Sequence, residues 1–256
     1  VDIVINSGAL VKHFGIKKKF EEINVKGTQN VIDFCLNTGK RLLHVSTISV
    51  SGNGEKEETV IETPENINDK KIFKESDIYV GQNIKGVYST TKFRAELLIL
   101  EAISSKGLDA QILRLGNITN RYSDGAFQMN ADENAFAKRL KSFIEIGAFP
   151  NYLLPHSIEL TPVDLAAEAI IKLANYRSIC NVVHIYNTKL LPIQFFINIL
   201  NELGINLLAV PEKMMIDIIT GILSDNARKE ILSGIIYDLD ENKQLIYTSN
   251  IRLNCS

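Results

Sequence analysis

Leu42-Leu43-His44-Val45-Ser46-Thr47 is a short apolar run ending in two hydroxyls, and Val87-Tyr88-Ser89-Thr90-Thr91-Lys92 opens a long helical pattern further along the chain. A continuous apolar run bounded by polar residues suits a strand buried on both faces, over Leu42–Val45 here. The spacing predicts a helix over 87–105, with Tyr88, Thr91, Ala95, Leu98, Ala102 and Ile103 on one stripe. Gly107 stands behind it as a C-cap glycine. Ala110–Leu115 reads as the next strand. Upstream, Asp2–Asn6, closed by Ser7-Gly8, is another. A helix over about Phe20–Thr38 joins it to Leu42–Val45, with Ile23, Gly27, Val31, Phe34 and Cys35 at three- and four-residue spacing and Gly39 capping its end. Strand, helix, strand, helix, strand predicts an α/β fold with a parallel sheet.

On a helix, residues i and i+4 share a face, so Tyr88 and Lys92 project into the same space. A cation beside a phenol favours phenolate and is expected to lower the tyrosine pKa from about 10. A phenol so tuned can protonate a carbonyl oxygen as hydride reaches the carbon. Thr47, at the carboxyl end of a neighbouring strand, can hold the same oxygen. That edge is where open α/β sheets bind ligands.

The second half is less regular. Asn130 or Asp132 is expected to cap a helix running to about Ile146, with Phe136, Leu140 and Phe143 inward. Thr161-Pro162-Val163-Asp164 reads as a helix start, with a capping Thr, Pro in the first position and an acid in the first turn; the helix runs to about Leu173. Asn181–Tyr186 is a fourth strand, Pro192–Leu203 a helix, and Glu212–Gly234 one or two more. The region 51–85 is a long charged connection.

Composition excludes several classes. The 256 residues are 45% hydrophobic and 23% charged, which rules out a disordered tail or a rod. With 28 basic against 30 acidic residues there is no nucleic-acid footprint. The three cysteines are widely spaced and suit a reducing compartment, and the four histidines never fall at metal-ligand spacing, so no metal site is expected. No targeting signal and no apolar stretch near the roughly 20 residues of a membrane helix is found, which points to a cytoplasmic protein without a membrane partner.

Val45-Ser46-Thr47-x-x-Val50-x-Gly52 followed by Tyr88-x-x-x-Lys92 resembles the active site of the extended short-chain dehydrogenase/reductases. Asp2–Ala9 is similar to their fourth strand and the turn beside the cofactor, and Asn24-Val25-Lys26-Gly27-Thr28-Gln29-Asn30-Val31 to their N-V-x-G-T-x-N-V helix. Arg114–Thr119, Asp124–Gln128, Glu133–Phe136 and Thr161–Ala167 resemble, more narrowly, the terminal thioester reductase domains of non-ribosomal peptide synthetases. The resemblance covers about residues 1–200.

It implies a Rossmann-like doubly wound sheet with a smaller, mainly helical substrate domain. Residues 1–122, with 157–188 returning, would form the dinucleotide-binding part; 123–156 and 189–256 would form the substrate-binding lid. The glycine-rich turn, the first three strands and the residue choosing NAD or NADP are expected upstream of Val1. The resemblance makes Tyr88 the proton donor, Lys92 its electrostatic partner and ribose ligand, and Thr47 the oxyanion holder. Gly8, Ala9, Asn24 and Ser46 would line the cofactor, with Leu115, Gly116 and Asn117 near the nicotinamide. Gln128 and Asn134 would line the substrate channel. The implied reaction is NADPH-dependent release (NADH also being possible) of a peptidyl or acyl thioester as an aldehyde, or onward as an alcohol. Its partners would be a carrier protein bearing a phosphopantetheinyl thioester and upstream synthetase domains. A nucleotide-sugar epimerase or dehydratase, or a non-catalytic dinucleotide-binding module, is the alternative.

Overall fold

A computed structural model describes residues 2–11, 17–52, 72–84, 86–131, 134–176, 180–225, 229–235 and 252–254. Four strands, β1 (Ile3–Asn6), β2 (Arg41–Thr47), β3 (Ala110–Leu115) and β4 (Val182–Ile185), form the main sheet in that order. Each pairs in parallel with the next. Crossovers are made by α1 (Gly27–Thr38), α2 (Val87–Lys106) and, after the short helix α3 (Ala135–Ile146) of a second unit, α4 (Val163–Asn175).

Strand periodicity puts neighbouring residues on opposite faces, and both faces are covered. Leu42, Ile112 and Val182 pack against Ile32 and Cys35 of α1 and Ile99 and Ala102 of α2. Leu43, Leu113 and Leu115 pack on the other side against Ala166 and Ile170 of α4. Each of these fully buried leucines and isoleucines contributes roughly 1.5–3 kcal/mol relative to exposure. The fold is α/β with a parallel sheet wound on both faces, as the strand and helix order predicts.

The buried face of the first helix differs from the expected one. Phe20, Asn24, Val25, Thr28, Ile32 and Cys35 are inside, whereas Ile23 and Phe34 are about half exposed. For Ile23 the cause is a π-helical segment, Glu21–Lys26, between the short turn Lys17–Phe20 and α1. One extra residue in a turn shifts the phase, so a 3.6-residue pattern extended across it points at the wrong side chains. On α2 the stripe also differs. Lys92, Glu96 and Ile99 are buried with Thr91, Ala95 and Ala102.

Two helix starts are corrected as well. Asn134 caps α3, its Oδ1 accepting the Ala137 N–H at 3.1 Å, in place of Asn130; Asp132 lies outside the described residues. Thr161 does not cap α4. It sits in a two-residue strand, Thr161–Pro162, beside Ile118–Thr119, and its hydroxyl accepts the Asn187 N–H at 3.1 Å. Pro162 is the N-cap, and Asp164 in the first turn instead receives the N–H groups of Tyr122 and Ser123 at 2.9 and 3.1 Å. These bonds hold the Asp164 carboxyl down at about 2.

Contacts divide the chain into two units, Val1–Gly125 with Leu160–Asn187 and Ser249–Ser256, and Ala126–Glu159 with Thr188–Thr248. The chain end groups with the first unit, where Arg252–Asn254 runs parallel to Ile72–Lys74, and not with the second as the expected division has it. The second unit contains α3, α5 (Ile193–Glu202) and α6 (Glu212–Leu223), with α6 packed around Met215, Ile219, Ile222 and Leu232 and α5 around Phe149, Ile197, Leu200 and Leu207. Phe136, expected inward, is 41% exposed and leans on Phe196. No described helix is long and apolar enough to cross a membrane.

Candidate active site

Thr47, the last residue of β2, leads into a 3₁₀ turn, Ile48–Ser51. Its Oγ1 accepts the Ser49 N–H at 3.2 Å, which fixes the hydroxyl at the carboxyl edge of the sheet. Tyr88, in the first turn of α2, is half-buried, and its phenol lies near enough to the Thr47 side chain for that hydroxyl to pull its pKa down against burial. Gly52 closes the turn at φ +70°, where a Cβ would come within 2.7 Å of the Asn83 carbonyl oxygen, so only glycine lets the 72–84 segment approach. That segment is tied down further by the Gln82 amide, which donates to Val50 O at 3.3 Å.

Lys92 is 2% exposed. Its ammonium donates to Val45 O at 2.7 Å and meets His44 Nε2 at 3.1 Å. Burial lowers its pKa to about 8, against the opposing pull of the Glu96 carboxylate. Two of the three donors of this nitrogen are engaged by protein, and the third suits a cofactor hydroxyl.

The expected lowering of the Tyr88 pKa is not what the environment produces. Burial pushes the phenol up from 10, and the Thr47 hydrogen bond opposes that only in part. The lysine nitrogen is held by His44 and Val45, so desolvation outweighs cation stabilisation. The phenol is therefore protonated throughout the working range, the state a proton donor requires.

Ser46 and Asn24 also differ from expectation. Ser46 is 4% exposed and its hydroxyl donates to Glu96 Oε1 at 2.5 Å, not to the cofactor side. Asn24 is 1% exposed, and its amide takes the Leu10 N–H at 2.7 Å and donates to Leu10 O and Thr91 Oγ1 at 3.2 and 3.0 Å. It clamps the turn after β1 to the first turn of α2. Its place in the π-helical segment explains how a polar residue comes to lie on the buried face.

Gly8 is exposed and Ala9 half-buried beyond the end of β1. Leu115 is 6% exposed at the end of β3, the Gly116 N–H bonds Ile185 O at 2.9 Å, and Asn117 is exposed. Gln128 and Asn134 belong to the second unit. Gln128 is exposed and donates to Asn130 O at 3.2 Å, while the Asn134 oxygen caps α3.

Three residues that the sequence reading did not single out complete the site from behind. Arg114 and Glu96 are fully buried and joined by a fork, Nη2 to Oε2 at 2.8 Å and Nε to Oε2 at 3.1 Å. Arg114 Nη1 also reaches Asp77 O at 3.1 Å, anchoring the 72–84 segment. His44, 0% exposed, bonds Asn6 and Lys92. The signal in the sequence is that Lys92 and Glu96 lie one helical turn apart, on the face that α2 buries.

Burial, and then the Lys92 charge, hold His44 well below 6.5. The folded ring stays neutral while the unfolded one takes up a proton below about 6.5, so the unfolded state binds more protons there. Stability is therefore expected to fall as pH drops below 6.5, by about 1.4 kcal/mol per pH unit from this residue until the folded ring itself protonates. Urea titrations at several pH values check this. H44Q should lose that part of the acid dependence, and an unchanged slope would rule out a buried neutral His44.

Comparison with known proteins places the chain. The male sterility protein family, an NAD-binding domain family, matches residues 1–170. Glycine betaine reductase of Emericella nidulans is 28% identical over 183 residues, covering 70% of this chain and 13% of that protein. The L-2-aminoadipate reductase large subunit of Candida glabrata is 27% identical over 174 residues, covering 67% of this chain and 12% of that protein. The chain thus spans about an eighth of the length of these relatives. A thiolation-reductase di-domain of an archaeal non-ribosomal peptide synthetase superposes with TM-score 0.75 at 28% identity, over 95% of this chain and 50% of that one. The terminal reductase domain of the myxalamid pathway superposes with TM-score 0.78 at 25% identity, over 98% and 60%. UDP-glucuronic acid 4-epimerase of Bacillus cereus, at 16% identity and TM-score 0.60 over 82% and 63%, shares the fold. With residues 1–170 matched, this chain belongs to the male sterility protein family of NAD-binding domains.

Proposed function

We propose that this chain carries the reacting half of an NADPH-dependent reductase that releases a peptidyl or acyl thioester from a carrier protein as an aldehyde. The observation that carries the reading is the nearness of the Thr47 and Tyr88 side chains at the carboxyl end of β2, with Lys92 one turn further along α2 and bonded to Val45 O. It is supported by the likeness to synthetase reductase domains, including one joined to its thiolation domain. The fit to a dinucleotide rests on Lys92, a buried ammonium with one donor left over. Lys92 would hold the ribose, and Gly8, Ala9, Gly116 and Asn117 would border the cofactor.

NAD(P)H supplies a hydride when bound. The chain's own residues handle the oxygen and the proton. Tyr88, protonated because it is buried, donates its phenolic proton to the thioester carbonyl oxygen, and Thr47 holds that oxygen by a hydrogen bond. The product of this addition is a thiohemiacetal. Its collapse breaks the carbon–sulfur bond, returning the carrier thiol and freeing the aldehyde. A second round would give the alcohol. The mainly helical second unit, with Gln128 and Asn134, is assigned to the acyl or peptidyl group. The protein works in the cytoplasm, downstream of synthetase domains.

The test is to mix the full-length protein with NADPH and a carrier loaded with an acyl thioester, following NADPH absorbance and free thiol. One NADPH consumed per thiol released, with an aldehyde trapped, is the expected result. Turnover of a nucleotide sugar and none of the thioester would replace this reading with the epimerase one.

A further inference from the structure

Asn6 and His44 are direct cross-strand neighbours on β1 and β2, and His44 in turn meets Lys92 on α2. The contacts form a line. The Gly8 N–H reaches Asn6 Oδ1 at 3.3 Å, Asn6 Nδ2 reaches His44 Nδ1 at 3.2 Å, and His44 Nε2 reaches Lys92 Nζ at 3.1 Å. A neutral imidazole has one N–H and one acceptor nitrogen, so both of its contacts cannot run in the same sense.

That leaves two self-consistent arrangements. With Lys92 as the neutral amine, Nε2–H donates to the Nζ lone pair, Nδ1 accepts from the Asn6 amide, and Asn6 Oδ1 holds the Gly8 N–H. With Lys92 as the ammonium, Nζ–H donates to Nε2. The ring proton then sits on Nδ1, and Asn6 must turn its oxygen towards it. This leaves the Gly8 N–H to another acceptor. Between the two, Lys92 gains one proton, the ring's single proton moves from Nε2 to Nδ1, and the ring is neutral in both.

We propose that Asn6 and His44 are positioning residues for Lys92, forming a hydrogen-bonded wire whose direction reverses when Lys92 exchanges its proton, and so tell the Gly8 turn whether the lysine is charged. The proposal rests on the reading of Lys92 as the ribose-holding residue. It gives that reading a consequence: the charged lysine and an available Gly8 N–H arise together, on the side where an anionic cofactor would approach. The groups facing the wire are Tyr88 and Glu96 on α2 and Arg114 on β3. Arg114 is bound to Glu96, so it balances that carboxylate and leaves the lysine as the group that exchanges a proton near neutrality.

The test uses full-length protein labelled with ¹⁵N in its histidine rings and ¹³C in its lysines, without cofactor or substrate. His44 and Lys92 are assigned by comparison with K92M. Across the pH range around 8, the His44 ring should remain neutral and pass from the Nδ1–H to the Nε2–H tautomer as pH rises. The midpoint should coincide with that of the Lys92 Cε resonance. In K92M one tautomer should persist throughout, and in N6S, which lacks the amide, the coincidence should be lost. A wild-type ring that keeps one tautomer while Lys92 titrates, or that itself protonates near 6.5, would overturn the proposal. Because no turnover is measured, that failure is separate from failure of the thioester assay.

Discussion

Replacing Tyr88 with phenylalanine should lower kcat for thioester reduction by about 10²–10⁴, the usual worth of a positioned general acid. In the proposed mechanism the phenol gives its proton where Thr47 would hold the carbonyl oxygen, and burial keeps that proton on it. The ring itself stays, so packing at the start of α2 is preserved. The loss should appear in kcat and in kcat/KM alike, with little change in cofactor affinity, because the interaction is made only in the transition state. Steady-state NADPH oxidation by wild type and Y88F, alongside cofactor titration, makes the comparison. Equal kcat values would remove Tyr88 from the chemistry while leaving the fold untouched.

Replacing Arg114 with leucine should cost about 3–5 kcal/mol of folding stability, the largest stability effect expected in the molecule. Glu96 is fully buried, and its carboxylate is held by the Arg114 fork and the Ser46 hydroxyl. Without the guanidinium it keeps one neutral donor in a site closed to water, and an uncompensated buried charge is costly. Removing both partners at once leaves no such charge, so R114L/E96L should be more stable than R114L alone. Urea unfolding of the two single variants and the double variant gives the coupling directly. Strict additivity would mean that the pair contributes nothing as a pair. R114L also loses the bond to Asp77 O, so hydrogen exchange should quicken across the 72–84 segment before the sheet is affected.

The chain's strand–helix order, its parallel sheet and the one-turn spacing of Tyr88 and Lys92 on α2 were legible from sequence, because they depend on local rules. Apolar runs of strand length, glycines at helix ends and an i, i+4 pair each act over a few residues. The phase of the first helix was not legible, since a π-helical turn at Glu21–Lys26 moves the buried face without an apolar signature of its own. The cap of α3 was legible in kind, as an Asn, although Asn134 and not Asn130 took the role; that of α4 was not, since Pro162 stands where Thr161 was expected.

The chemistry behind the site was decided only by tertiary structure. Lys92 pairs with Tyr88 by spacing, yet its nitrogen goes to Val45 and His44, because β2 passes beneath α2 and offers an acceptor at each of those residues. Ser46, Glu96 and Arg114 come from a strand, a helix and another strand, and no local pattern joins them. The sign of the Tyr88 shift followed the same logic. Sequence showed the nearby cation, but the cost of removing a phenolate from water depends on what the fold packs around it, and here that cost is the larger effect.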